Sequence, residues 1–312
     1  MRYVYLNGDF VLEEEAKIPI FDSSIVVGDI VLEVARTFNH VFFKLDSHID
    51  RLLYGVKELN FNFSYEKDKI EKLTKDLFNR NSVSENENVE WQIVYVVTNG
   101  LKTHFKLYSN DDENFTFAIL CFPLKFRLGC MKDRYLNGCK LLVADQRAIP
   151  NILLPPQIKS RGRLHFKLAK LQVQKRDANA DALLLDNNNC ITEVSGSNLF
   201  LVKNNAVYTA PSDCVVSGIT REYVIQICES LGFEVIEKKI PITEINQYDE
   251  AFITSTIIGI IYVRQIETCV FSDMKPGNVT LRIIQKFIED CECNFVSQAV
   301  KYAEDPDVAK II

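Results

Sequence analysis

Thr192-Glu193-Val194-Ser195-Gly196-Ser197-Asn198-Leu199-Phe200 decides how the rest of this 312-residue chain is read. A carboxylate stands among small polar residues, shortly before an unbroken apolar run, Leu199-Phe200-Leu201-Val202. Such a run, bounded by Ser, Gly and Asn, predicts a buried strand entered through a tight turn. The strand draws the backbone into the core and carries Glu193 to its edge. A carboxylate there costs free energy unless a charge or a hydrogen-bond donor meets it. Taken alone, the pattern equally describes a solvated turn between two strands, and only its neighbours separate the two.

Composition narrows the field. With 47% apolar and 25% charged residues the chain is an ordinary globular protein. Its net charge of −6 supplies no basic face for phosphate backbones, so no nucleic-acid partner is expected. Nine cysteines, an odd number and without a C-x-x-C pair, point to reduced thiols and to no metal centre. Met1-Arg2-Tyr3-Val4-Tyr5 carries no signal-like apolar run, and no stretch is long enough to span a membrane. A cytoplasmic protein is expected.

Outward from the central stretch, the chain reads as an α/β (α+β) fold in two parts. Asn7-Gly8 and Asn39-His40 each turn a hairpin. Asp46 or Ser47 caps a helix whose apolar face is Ile49, Leu52, Leu53, Val56 and Leu59. A second amphipathic helix covers 65–79, and strands are predicted over 91–98 and 115–123. Residues 125–134 show no period and are expected to link a small N-terminal domain (1–124) to a larger, strand-rich C-terminal one (135–312). In the latter, prolines 150, 155 and 156 bracket a loop that delivers Lys159. A helix over 163–176, a strand-rich block to 209, a helix over 220–231 stopped by Gly232 and a helical region over 279–302 follow. Rossmann, P-loop and H-E-x-x-H patterns are absent.

The order of motifs removes the ambiguity. Ile158-Lys159-Ser160 precedes the Glu193 stretch. Tyr208-Thr209-Ala210-Pro211, Ser217-Gly218-Ile219-Thr220-Arg221, Asp249-Glu250-Ala251-Phe252 and Thr254-Ser255-Thr256 follow it. From about Tyr5 to Ile266 this set resembles the class IV (fold type IV) pyridoxal-phosphate aminotransferases, the family of branched-chain and D-amino-acid aminotransferases and aminodeoxychorismate lyase. The resemblance implies a two-domain fold type IV enzyme with pyridoxal 5'-phosphate as cofactor, working as a homodimer with its site near the interface. It makes Lys159 the catalytic lysine that holds the cofactor as an aldimine. Glu193 would meet the pyridinium nitrogen, Val216 would pack against the ring face, and Ser197 and Asn198 would also bind the cofactor. Ile219 and Thr220 at a helix start, Ser255 and Thr256 in a second turn, and Arg51 of His48-Ile49-Asp50-Arg51-Leu52 would bind the phosphate. Burial and the neighbouring Arg161 and Arg163 would favour the neutral, reactive Lys159.

The chain also departs from the pattern. Where relatives carry aromatics near the N-terminus, it has Ile25, Val27 and Leu32 within a segment expected to be a strand lining the substrate pocket. Leu164 stands where branched-chain enzymes have a tyrosine. Asn99 in Val97-Thr98-Asn99-Gly100 stands where D-amino-acid enzymes have the carboxylate-binding arginine. Leu32, Asn99, Arg161 and Arg163 are therefore the substrate-contact candidates, with His165 and His104 as further ones. The expected function is transfer of an amino group between a hydrophobic, branched-chain-like amino acid and a 2-oxo acid. The alternatives are a lyase of the aminodeoxychorismate type and a non-catalytic cofactor-binding protein.

Overall fold

The computed structural model of the chain describes residues 1–83, 89–101, 115–160 and 162–310. They divide into two units, Met1–Leu124 with Ile158–Gly162, and Lys125–Gln157 with Arg163–Ile312.

In the first unit, β1 (Tyr3–Leu6) and β2 (Asp9–Leu12) turn on Asn7 and Gly8, both at positive φ. A single helical turn, α1 (Ser23–Val26), precedes β3 (Ile30–Phe38). That turn stands where a strand was expected, because Asp22 caps it: its carboxylate accepts the Ser24 N–H at 2.8 Å. β3 and β4 (Val41–Phe42) turn on Asn39 and His40, at φ of 48° and 62°, the left-handed pair that a two-residue hairpin needs. Then come α2 (Leu45–Glu58), α3 (Lys67–Ser82), β5 (Trp91–Thr98) and β6 (Thr116–Pro123). α2 begins without the expected Asp46 or Ser47 cap; Lys44, at a left-handed φ of 50°, makes the turn into it. Among the described residues six strands form one antiparallel sheet in the order β2-β1-β6-β5-β3-β4. Period-two alternation sends Trp91, Ile93, Tyr95 and Val97 of β5 to one face. There they pack with Ile49, Leu52 and Val56 of α2 and Ile70 and Leu77 of α3. Each fully buried Leu or Ile of this layer contributes about 1.5–3 kcal/mol.

Residues 158–160 belong to this first unit although the expected division put them in the C-terminal part. The cause is backbone pairing: the Leu32 N–H donates to the Lys159 carbonyl at 2.9 Å, and Ser160 bridges Val31 in antiparallel fashion.

The second unit starts with α4 (Lys125–Gly129) and α5 (Lys132–Asn137). Both lie largely in the stretch read as an aperiodic linker, each too short to show a helical period. β7 (Cys139–Arg147), α6 (Leu164–Arg176), β8 (Ala180–Leu185), β9 (Ile191–Val194), β10 (Ser197–Lys203) and β11 (Ala206–Thr209) follow. After α7 (Ile219–Ser230) come β12 (Val235–Glu237), a 3-10 segment (Ile242–Gln247), β13 (Glu250–Ser255), β14 (Gly259–Ile266) and β15 (Cys269–Val270). The helical region expected over 279–302 is two helices, α8 (Asn278–Asp290) and α9 (Phe295–Ala303), separated by a turn with Glu292 at φ 48°; α10 (Pro306–Ala309) ends the described chain. The sheet order is β12-β11-β10-β13-β14-β7-β8-β9, and β9 pairs β10 as well, which closes a ring of strands. A closed ring leaves those strands without free edges. Leu183, Leu184 and Leu185 are all buried, as a strand covered on both faces requires. α6 covers one of those faces with Phe166, Ala169 and Val173 against Leu142, Ala144, Ala182 and Leu184.

Candidate active site

The first unit builds its polar cluster on Glu33. The alternation of β3 puts Glu33 on the face shared by Val31 and Ala35, which α2 covers. His48 and Arg51, three residues apart on α2, meet it there. The Arg51 Nε donates to Glu33 Oε2 at 2.7 Å and its Nη2 to Oε1 at 2.8 Å. Lys159 Nζ donates to Oε1 at 2.9 Å, His48 Nδ1 lies 3.0 Å from the same oxygen, and the Val34 N–H reaches it at 2.7 Å. Burial pushes the Glu33 carboxyl up, but the charges of Arg51 and Lys159 and the donors on His48 and Arg51 outweigh it, leaving it well below the usual carboxylate range. Burial pushes His48 down more than Glu33 raises it. The ring is therefore neutral, its Nδ1–H donates to Glu33, and its Nε2 is buried without a hydrogen-bond partner. The described partner of Lys159 is thus the Glu33 carboxylate, shared with the Arg51 guanidinium. Arg161 and His104 lie outside the described residues, and Arg163 belongs to the second unit.

A second buried carboxylate fixes the segment before β3. Asp22 Oδ2 accepts from Thr98 Oγ1 at 2.9 Å and from Thr116 Oγ1 at 2.7 Å. The Asn99 N–H donates to Ser23 Oγ at 3.0 Å, so Asn99 is tied by its backbone to the same segment. Leu32 is buried, whereas Ile25 and Val27 are exposed on the chain surface.

The second unit places its candidates by strand register. Glu193 pairs across β9–β10 with Asn198, and Asn198 pairs across β10–β13 with Thr254. Directly opposed residues share a face, so Glu193, Asn198 and Thr254 form one row. Gly196, at φ +90°, makes the tight turn between β9 and β10 that this register needs, next to Ser197. The backbone N–H of Val216 donates to Glu193, and Asn198 Nδ2 donates to the Val216 carbonyl at 3.0 Å, so both peptide groups flanking Val216 are held. Gly218 lies so close to Asn198 Oδ1 that a Cβ would collide with it. α7 starts immediately afterwards with Ile219 and Thr220, and no side chain caps its first turn. The hydroxyls of Thr220 and Thr254 are buried with no hydrogen-bond partner. Ser255 and Thr256 enter the turn between β13 and β14. Burial pushes Glu193 up to about 7, against the pull of the Arg163 charge and the Val216 N–H. Leu164 is exposed at the start of α6, and His165 beside it is pushed down, first by burial and then by Arg163.

The structure therefore brings Arg51 and Lys159 together on one carboxylate. It gathers Asn198 and Val216 around another, Glu193, and starts α7 with Ile219 and Thr220 directly after Gly218, which abuts Asn198. Sequence reasoning missed Glu33 and His48 as members. The signal was present: a lone carboxylate inside Val31-Leu32-Glu33-Val34 must find partners, and His48 and Arg51 have the helical spacing to provide them.

Two buried carboxylates, one holding a lysine and an arginine and the other beside unpartnered threonine hydroxyls, are the equipment of an enzyme. The sequence profile of amino-transferase class IV matches residues 30–266, and the chain belongs to that family. A putative branched-chain-amino-acid aminotransferase of Methanocaldococcus jannaschii is 30% identical, over 91% of this chain and 94% of its own. A D-alanine aminotransferase of Listeria monocytogenes is also 30% identical, over 92% and 95%. The crystal structure of the Escherichia coli branched-chain amino acid aminotransferase superposes with a TM-score of 0.83 at 25% identity, covering 98% of this chain and 97% of that one.

Proposed function

We propose that the protein is a pyridoxal-phosphate-dependent aminotransferase acting on a hydrophobic, branched-chain-like amino acid and a 2-oxo acid. When bound, the cofactor supplies an aldehyde that takes the amino group and a ring that withdraws electrons from the substrate Cα–H bond. The observation that carries this reading is Glu193. A buried carboxylate raised to about 7 is stabilised by a cationic N–H donor, which a protonated pyridine ring offers. The unpartnered hydroxyls of Thr220 and Thr254 and the uncapped start of α7 fit a phosphate group. Asn198 holds the Val216 peptide in place for the ring. Arg51, already anchored by Glu33, would add a guanidinium for the phosphate, and Ser197, Ser255 and Thr256 further polar groups.

Lys159 would hold the cofactor through its Nζ, and the same Nζ, once free, would carry the proton taken from substrate Cα as an ammonium. Glu33 Oε1, at 2.9 Å, holds that ammonium and orients it. Leu32, Asn99, Arg161 and Arg163 are the substrate-side candidates, and Asn99 supplies no charge for a substrate carboxylate. The lyase and non-catalytic alternatives are not favoured. The exposed Ile25 and Val27 support a homodimer in which a second copy covers them. Among the described residues no helix is long and apolar enough to cross a membrane, and with the cysteine count this supports a cytoplasmic enzyme.

The test has two arms. Borohydride treatment of cofactor-loaded protein should fix the cofactor on the peptide containing Lys159; a label on Lys167 or Lys170 would remove the assignment. Multiple-turnover assays against 2-oxoglutarate should rank leucine and valine above aspartate and D-alanine. A preference for D-alanine would replace the branched-chain reading with the D-amino-acid one.

A further inference from the structure

Away from these residues, the second unit contains a polar cavity of about 450 Å³. It lies where β7 and β8 begin and β14 nears its end, walled by α5 and α6. Four cations line it, Arg134, Lys140, Lys170 and Arg264, against two carboxylates, Asp133 and Asp181. Two of the cations are already neutralised, Arg134 by Asp181 and Lys140 by Asp177 at 3.0 Å. Arg264 and Lys170 make no ion pair among the described residues.

Arg264 is built into this position. The register between β14 and β7 runs Val263 with Cys139 and Gln265 with Lys140, so Arg264 is the extra residue of a β-bulge. Bulges re-aim a side chain that the regular pleat would direct elsewhere. Arg264 lines the cavity, and its Nε is a buried donor with no hydrogen-bond partner; so is the Nε of Arg134. Unsatisfied guanidinium donors are costly unless something accepts from them. A concave wall with surplus positive charge concentrates anions.

We propose that this cavity is a second ligand site, one that binds a small organic oxyanion through the guanidinium of Arg264, with the unpartnered Nε of Arg134 as a further donor and Lys170 as a further positive charge. Planar guanidinium forks match carboxylate and phosphate oxygens alike. The cavity is far larger than a bare ion, and Asp133 offers an acceptor for a hydroxyl or ammonium group on the same ligand.

Cys130 is exposed and lines the cavity, which makes it a reporter. Inorganic pyrophosphate and citrate serve as phosphate and carboxylate probes on the full chain. Binding is measured by calorimetry at two salt concentrations, and iodoacetamide labelling of Cys130 is followed by peptide mapping, with Cys190 and Cys214 as internal controls. At least one probe should bind, more weakly at high salt, and should slow labelling at Cys130 but not at the controls. Arg264→Gln should weaken binding about tenfold or more. Lys170→Gln, on the surface of α6, should weaken it by a smaller factor and separates loss of binding from loss of fold. Failure of both probes to bind, or binding indifferent to both substitutions, overturns the proposal. Equal protection of Cys130 and the control thiols overturns it as well. Binding of pyrophosphate alone or of citrate alone tells which oxyanion the site selects.

Discussion

Glu33 and Glu193 are both buried carboxylates, and their surroundings drive them in opposite directions. Glu33 is held low by Arg51 and Lys159, so its stabilising contribution is complete above its ordinary value of 4.5 and is lost as pH falls through its folded value. Glu33→Gln leaves two largely buried cations short of a counter-charge and should cost about 3 kcal/mol, read as a lower urea midpoint at pH 7. The same variant should lose less stability than wild type below pH 4.5; identical acid limbs would mean that Glu33 is not the hub the distances describe. Glu193, raised from 4.5 to about 7, works the other way. The folded chain binds the extra proton, so the cofactor-free protein should lose stability as pH rises from 4.5 to 7, by about 3 kcal/mol. Glu193→Gln should abolish that slope and exceed wild type at pH 8 without cofactor. With cofactor bound, the variant should slow Cα proton removal by orders of magnitude. A cofactor-free wild type whose melting temperature is flat between pH 5 and 8 would contradict the burial of this group.

At the scale of elements, the start of α7 is the informative feature. Its first turn has no side-chain cap, and the Thr220 hydroxyl within it is buried without a partner. A helix N-terminus in that condition attracts an anion through its free N–H groups and its dipole. Thr220→Val keeps the shape and removes only the orphaned hydroxyl. Without cofactor the variant should be unchanged or stabilised by about 1 kcal/mol. With cofactor it should release pyridoxal phosphate about tenfold faster, followed by loss of the visible absorbance on dilution. A large loss of stability without cofactor would show that the hydroxyl has a structural partner instead.

For the whole molecule, the exposed apolar side chains matter. Ile18, Ile20, Phe21, Ile25 and Val27 are exposed in one short stretch of the first unit. Scattered exposed leucines need no explanation, but these five apolar side chains, exposed within residues 18–27, are where a second copy would sit. The protein should elute as a dimer with the light-scattering mass of two 35.8 kDa chains. An Ile25→Lys/Val27→Lys double variant should shift it toward monomer and reduce turnover. A monomer with full activity would rule out the dimer reading.

The sequence by itself determined the family and most of the order of elements, because turns, strands and the longer helices rest on local signals; the single turn α1 and the short α4 and α5 show no helical period and escaped it. Asn-Gly turns, strand alternation and helical spacing act over a few residues, and the motifs sit within single elements. It also named Lys159, by resemblance and not by any local property of the loop. What only the tertiary structure decided were the partners. Glu33, His48, Arg51 and Lys159 come from β3, α2 and an extended segment far along the chain, joined by the Leu32–Lys159 backbone bond. The row Glu193–Asn198–Thr254 exists only once β9, β10 and β13 are in register. Arg264 enters its cavity only because a bulge in β14 displaces it from the regular pairing. Local propensity sets where strands and helices run. Which charges meet is settled by long-range pairing and burial, and those have no local signature.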